Sequence, residues 1–224
     1  MKRPHDLLSL HSDTLDFLLV PTGDIFEMSS GSVLINQFRG NAKDGSANNI
    51  FLRIYENNKV KSVHPLLGQQ SACHVSRNEN CIRYEGRCAG IAYITDLFLI
   101  ENSWFYEITL NSEDEITVDL LYGQDIGLSG KENVLTNELY TSQYLGHSVF
   151  EGEYGYTICS RQNMPDNGCN PYLQQGSLSH RIIHYATDGL DFFGLEYKKP
   201  IRQQHCSMVL PTEICSMSLH TAHS

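Results

Sequence analysis

The chain has 224 residues, 41% of them hydrophobic, with 26 acidic against 16 basic side chains and a formal net charge of −10. That balance argues against nucleic acid, whose phosphates call for clustered Lys and Arg, and no apolar run reaches the ~20 residues of a membrane-spanning helix. Met1 to Val20 lacks the apolar core and cleavage site of a secretory leader, so a cytoplasmic location is expected.

Length suits one large all-β domain or two small ones, and with no internal repeat or linker a single domain is expected. Seven cysteines, at 73, 81, 88, 159, 169, 206 and 215, are an odd number and never fall in a C-x-x-C spacing. Free thiols in a reduced compartment are the simplest account. The tight Cys/His combinations are Cys73 with His74, His205 with Cys206, and His180 with His184, and too few ligands converge to imply a metal site.

Met1 to Leu10 is polar and mixed, and is expected to fray. Leu15 to Val20 is a short apolar run closed by Pro21 and Gly23, and reads as a strand. Ile25 to Met28 and Ser32 to Gln37 read as two more around a Ser-Ser-Gly bend. In the second, Val33, Ile35 and Gln37 alternate with Leu34, Asn36 and Phe38, as in a core strand with a polar end. Arg39 to Asn49 is rich in Gly, Asn, Asp and Ser and is expected to be an exposed loop.

Ile50 to Tyr55 and Val60 to Val63 flank an Asn57-Asn58 turn, a hairpin signature. Ala72 to Ser76, Cys81 to Glu85, Ile91 to Ile100, Trp104 to Leu110 and Glu115 to Tyr122 are five further candidate strands separated by turn residues. Such regular spacing is what a sandwich of antiparallel sheets requires. Leu128 to Leu139 is the one helical candidate, with Ser129 as its cap. Gln143 to Phe150 with Tyr154 to Ser160, and Ser179 to Ala186 with Phe192 to Tyr197, complete two more hairpins.

The stretch from Tyr140 to Ser177 concentrates amides and aromatics. Sugars present hydroxyls at their edges and C–H groups on their faces, so a surface that grips them places amide or guanidinium donors beside flat rings. Tyr144, Arg161, Gln162, Asn163, Tyr172, Gln174 and Gln175 supply that mixture, and are the candidate substrate-binding residues. The same composition also suits an ordinary exposed strand pair with a long Pro/Gly loop. Among carboxylates, Asp125 is expected to hold a turn, and Glu151 and Glu153 to share one side of an exposed edge; no residue is singled out as catalytic.

Several segments carry a resemblance: GDIFEMSSGSVLINQF (23–38), DGSANNIFLRIY (44–55), VDLLYGQDIG (118–127), SQY (142–144), CSRQN (159–163), LQQGS (173–177) and ATDGLDFFGLEY (186–197). In order and spacing they resemble the N-terminal β-sandwich domain of family 94 glycoside phosphorylases, most closely the branch acting on β-1,2-linked glucans, the 1,2-β-oligoglucan phosphorylases. The resemblance implies an antiparallel β-supersandwich of the galactose mutarotase-like kind over 23–199, with at most one short helix, a lead-in over 1–22 and an aberrant or disordered tail over 200–224. It further implies inverting phosphorolysis of β-1,2-glucooligosaccharides to glucose 1-phosphate, with inorganic phosphate as co-substrate and no cofactor.

In that family the proton donor lies on a following helical barrel, so this chain alone is expected to be inactive. The amide cluster would then pack against the barrel or reach the glucan. A stand-alone carbohydrate-binding module, the same domain in a cyclic β-1,2-glucan synthase, and a chain working with a separately encoded barrel are the alternatives. The resemblance stops near Lys199, which implies truncation before the barrel. Read two bases on, Cys215 to Ser224 admits Phe-Tyr-Val-Phe-Ala-Tyr-Arg-Thr-Leu, as a shifted reading frame would require.

Overall fold

The computed structural model describes residues 6–166, 168–189 and 217–219. It is built from antiparallel strands, and the alternation of apolar and polar residues sets which face of each strand turns inward. A first sheet combines β1 (Leu8–His11), β2 (Asp16–Leu19), β3 (Ile25–Ser30), β4 (Val33–Leu34) and β12 (Ser129–Gly130) in the order β1-β2-β3-β4-β12. A second runs β10-β9-β8-β7, from β7 (His74–Asn78), β8 (Cys81–Cys88), β9 (Ile91–Ile100) and β10 (Ser103–Asn111). The third contains β5 (Asn49–Glu56), β6 (Lys59–Pro65) and β11 (Thr117–Gly123), with β16 (Met217–Leu219) paired along β11. The last has three strands, β13 (Leu145–Gly152), β14 (Gly155–Gln162) and β15 (Tyr172–Gln175).

The inner faces of the first three sheets share one core. Phe17, Leu19 and Met28 meet Leu52, Ile54 and Leu120 from the third sheet and Ile82, Tyr84 and Leu97 from the second. Phe17 and Trp104 join the first and second sheets at 5.5 Å between ring centroids, and Tyr106 with Tyr122 joins the second and third at 5.6 Å. The buried Tyr84 hydroxyl donates to the Gly23 carbonyl at 2.8 Å.

Strand β5 is buried from Asn49 to Ile54, so both its faces are covered there and Arg53, the one charged residue of that stretch, needs a partner. Arg53 finds it across the ladder: Nε and Nη2 donate to the two Asp119 carboxylate oxygens at 2.7 and 2.6 Å, and the Tyr55 hydroxyl donates to the same carboxylate at 2.7 Å. Burial and the adjacent carboxylate push the Tyr55 phenol up to about 12.

The structure departs from the sequence reading in four places. Leu8–His11 is a strand, because Leu10 is buried against the core while β1 pairs residue for residue with β2. The loop at 39–49 is not exposed throughout: Ser46, Asn48 and Asn49 are buried. Their side chains replace water for neighbouring backbone. Asn49 Oδ1 accepts from the Ile50 and Leu67 amides, its Nδ2 donates to the Leu67 carbonyl, and Asn48 Oδ1 accepts from the Asp125 amide.

The single helix expected over 128–139 is instead two short ones, α1 (Lys131–Thr136) and α2 (Glu138–Ser142). Ser129 does not cap; it is buried in β12, and Asn137 separates the helices, its Oδ1 accepting from the Tyr140 amide at 3.1 Å. Ser179 to Ala186 forms no strand, only a single parallel bridge between Ile182 and Gly155. The partner strand expected over 192–197 lies outside the described residues, as does most of the tail at 200–224. The remaining hairpins match the sequence, including Asn57 and Asn58, both in the left-handed conformation with φ 53 and 60 that such a turn requires.

Candidate functional site

Strands β13, β14 and β15 turn the amide-rich stretch into a small sheet with two unlike faces. Because β14 pairs with both neighbours, residues at the same register position share a face. The inner face carries Leu145 and Gln162 in one row, His147, Ser160 and Leu173 in the next, then Val149, Ile158 and Gln175. Most of these residues line a cleft of about 1810 Å³ whose opposite wall includes Trp104, Tyr106, Tyr122 and Gln124.

Hydrogen bonds tie the cleft walls into fixed positions. Trp104 Nε1 donates to the Tyr122 hydroxyl at 3.2 Å, which donates to Gln124 Oε1 at 2.5 Å, and Gln175 also bonds that hydroxyl. Burial holds the Tyr122 phenol well above its ordinary range. His147 Nδ1 lies 2.9 Å from the buried Ser160 Oγ, and partial burial holds the imidazole below its usual value. With Ser160 fully covered, this pair fixes one strand against the next.

The outer face is exposed and forms a grid. Gly146, Arg161 and Tyr172 make one row across the three strands, and Ser148, Cys159 and Gln174 the next. Phe150 and Thr157 make the third, beside Gly176. Gly146 has no side chain, and Asn163 fills its place: the Asn163 amide nitrogen lies 3.2 Å from where a Cβ would stand. Tyr172 is 78% exposed and Phe150 60%. Arg161 Nη2 donates to Asn170 Oδ1 at 3.1 Å, which steadies the guanidinium at the surface.

The seven residues singled out from sequence therefore divide. Arg161, Asn163, Tyr172 and Gln174 come together on the outer face. Tyr144 stands beyond the sheet's edge, its ring edge-on to Tyr140 at 5.1 Å and its hydroxyl donating to that of Tyr140 at 3.0 Å. Gln175 faces the cleft. Gln162 is fully buried: Nε2 donates to the Gly127 and Thr141 carbonyls at 3.2 and 3.0 Å, and Oε1 accepts from the Met164 amide at 3.1 Å. Its amide joins the sheet to the segment ahead of α1 and to α2. Phe150 and Ser148 escaped the sequence reading, although their alternation with His147 and Val149 along β13 was the signal that put them on the same face as Arg161.

Two of the carboxylates weighed from sequence have partners. Asp125 Oδ2 accepts from the Gln37 and Phe38 amides at 2.8 and 2.5 Å, and exposed Glu151 pairs with Arg181 at 2.5 Å. Buried Glu27 sits between Arg39 and Lys131. Burial alone would raise its carboxyl, but the ammonium of Lys131 and the guanidinium of Arg39 together hold it below the usual value. Asp24 is pushed up by burial despite donors from Thr22 and the Gln69 amide. Cys73, Cys81, Cys88, Cys159 and Cys169 are free thiols. Among the described residues no group of three or more His, Cys, Asp or Glu is placed to hold a metal ion, and no helix is long and apolar enough to cross a membrane.

This architecture has known relatives. A 1,2-beta-oligoglucan phosphorylase from Listeria innocua serovar 6a is 35% identical over 178 residues, which cover 80% of this chain and 16% of the phosphorylase. The SOGP N-terminal domain matches residues 18–215, a span that runs from within β2 past β15 and leaves out β1 and β16. The chain belongs to the SOGP N-terminal domain family.

Proposed function

We propose that this chain serves as the N-terminal β-sandwich domain of an inverting β-glucan phosphorylase, one that uses inorganic phosphate to cleave β-1,2-glucooligosaccharides to glucose 1-phosphate. The observation that carries the reading is the 35% identity running over 80% of the chain yet over only 16% of the Listeria phosphorylase. In this role the domain buttresses a helical catalytic barrel and forms one edge of its substrate cleft, while the proton donor belongs to the barrel.

The carboxylates support this division of labour. An inverting phosphorylase needs one carboxylic acid within reach of the leaving oxygen. Here Asp119, Asp125 and Glu27 are each engaged by donors that hold the sheets and loops together. Engaged in this way, they hold the scaffold together.

The test is a chimera in which this chain replaces the matching segment of the Listeria phosphorylase. Formation of glucose 1-phosphate from β-1,2-glucooligosaccharide and phosphate is expected, at a rate within about tenfold of the parent. A folded, soluble chimera without turnover would refute the assignment.

A further inference from the structure

We propose that the outer face of the three-stranded sheet is itself a binding surface for a neutral β-linked glucooligosaccharide, with Tyr172 and Gln174 also reaching the rim of the large cleft. The choice of a glucan rests on the phosphorylase reading above; the presence of a sugar-binding surface rests on the face. Its rings and its donors lie on one side by register. Tyr172 and Phe150 occupy opposite corners of the grid, two strands and four residues apart, or about 16 Å on the diagonal.

Between these corners the face is polar without being acidic. Asn163, Arg161, Gln174 and Ser148 are all exposed and present amide, guanidinium and hydroxyl groups, and no carboxylate stands in any of the three rows. This combination matches a sugar chain, whose C–H faces lie against rings while its hydroxyls meet planar donors. A protein partner of ordinary size would instead seek a contiguous apolar centre, which two separated rings do not provide. Asn163 rather than a β13 side chain occupies the space over Gly146.

One donor of the surface, Arg161, is already held in place. Arg161 is held by Asn170, whose Nδ2 donates to the Gln162 carbonyl at 2.9 Å, and Gln162 is anchored in the interior. Binding therefore need not order the Arg161 side chain, which favours affinity.

Isothermal titration of the full chain with β-1,2-glucooligosaccharides tests the proposal, with Tyr172→Ala, Phe150→Ala and Arg161→Ala beside Lys61→Ala as a remote surface control. Circular dichroism checks that each variant is folded. Saturable binding that weakens about tenfold or more in Tyr172→Ala and persists in Lys61→Ala is the expected result. No binding by the native chain, or binding indifferent to all three face variants, would overturn it. So would a concentration-dependent dimer abolished by Tyr172→Ala without any sugar binding, since the face would then be a protein contact. An active chimera together with a silent titration would remove this proposal and leave the phosphorylase reading standing.

Discussion

Gln162 offers the sharpest separation between a residue that builds the site and one that meets a ligand. Its side chain is fully buried and makes three hydrogen bonds, two to carbonyls ahead of α1 and in α2 and one from the Met164 amide. Replacing it with Ala removes all three, at about 1 kcal/mol net each, so a loss of about 3 kcal/mol is expected before any allowance for stranded carbonyls. Gln162→Glu is expected to do at least as much harm at neutral pH, because a carboxylate would then face two carbonyl oxygens. The assay is urea denaturation followed by fluorescence of the single tryptophan, Trp104, and by circular dichroism, with coincident curves required for a two-state reading. A loss below about 0.5 kcal/mol in Gln162→Ala would refute the structural role. Unchanged stability with weakened glucan binding would make Gln162 a ligand contact instead.

Other consequences can be checked in the same way. Asp119→Ala strands the buried Arg53 guanidinium and is expected to cost about 3–5 kcal/mol, whereas Arg53→Met with Asp119→Leu should recover most of that loss; urea midpoints decide. Gly155→Ala places a Cβ 1.9 Å from the Ile182 carbonyl oxygen at a residue with φ 78, so it should release the 177–189 segment from the hairpin, seen as faster proteolysis there. Glu27 and Asp96 have carboxyls held below their ordinary values, Glu27 against the pull of burial and Asp96 chiefly by Arg83. Their stabilisation is therefore present above the unfolded values, 4.5 and 3.8, and is lost as pH falls through the folded ones. Asp24, raised by burial, acts in the opposite direction, so Glu27→Gln should flatten the acid limb of a stability profile while Asp24 keeps it shallow.

Much of the fold was legible because β-structure leaves local signs. Asn57-Asn58 and Gly152 mark hairpins, and the alternation from Ile91 to Ile100 marks a half-buried strand whose Ile91, Tyr93, Thr95 and Leu97 are buried. What stayed hidden depends on partners distant in sequence. Nothing local to Arg53 or Asp119 says that they meet across 66 positions inside the protein. Asn48 and Asn49 looked like loop surface because composition cannot report which backbone an amide will satisfy. The candidate site was half legible for the same reason. Arg161, Tyr172 and Gln174 share a face through pairing register, whereas Gln162, adjacent to Arg161, turns inward by the same alternation.

The most direct test of the proposed division between this domain and a catalytic barrel is an assay of the isolated chain with β-1,2-glucooligosaccharide and inorganic phosphate, measuring glucose 1-phosphate. Product at the level of the enzyme-free control is expected, since in the proposed reading the proton donor belongs to the barrel. Turnover above that control that survives repurification would contradict the account.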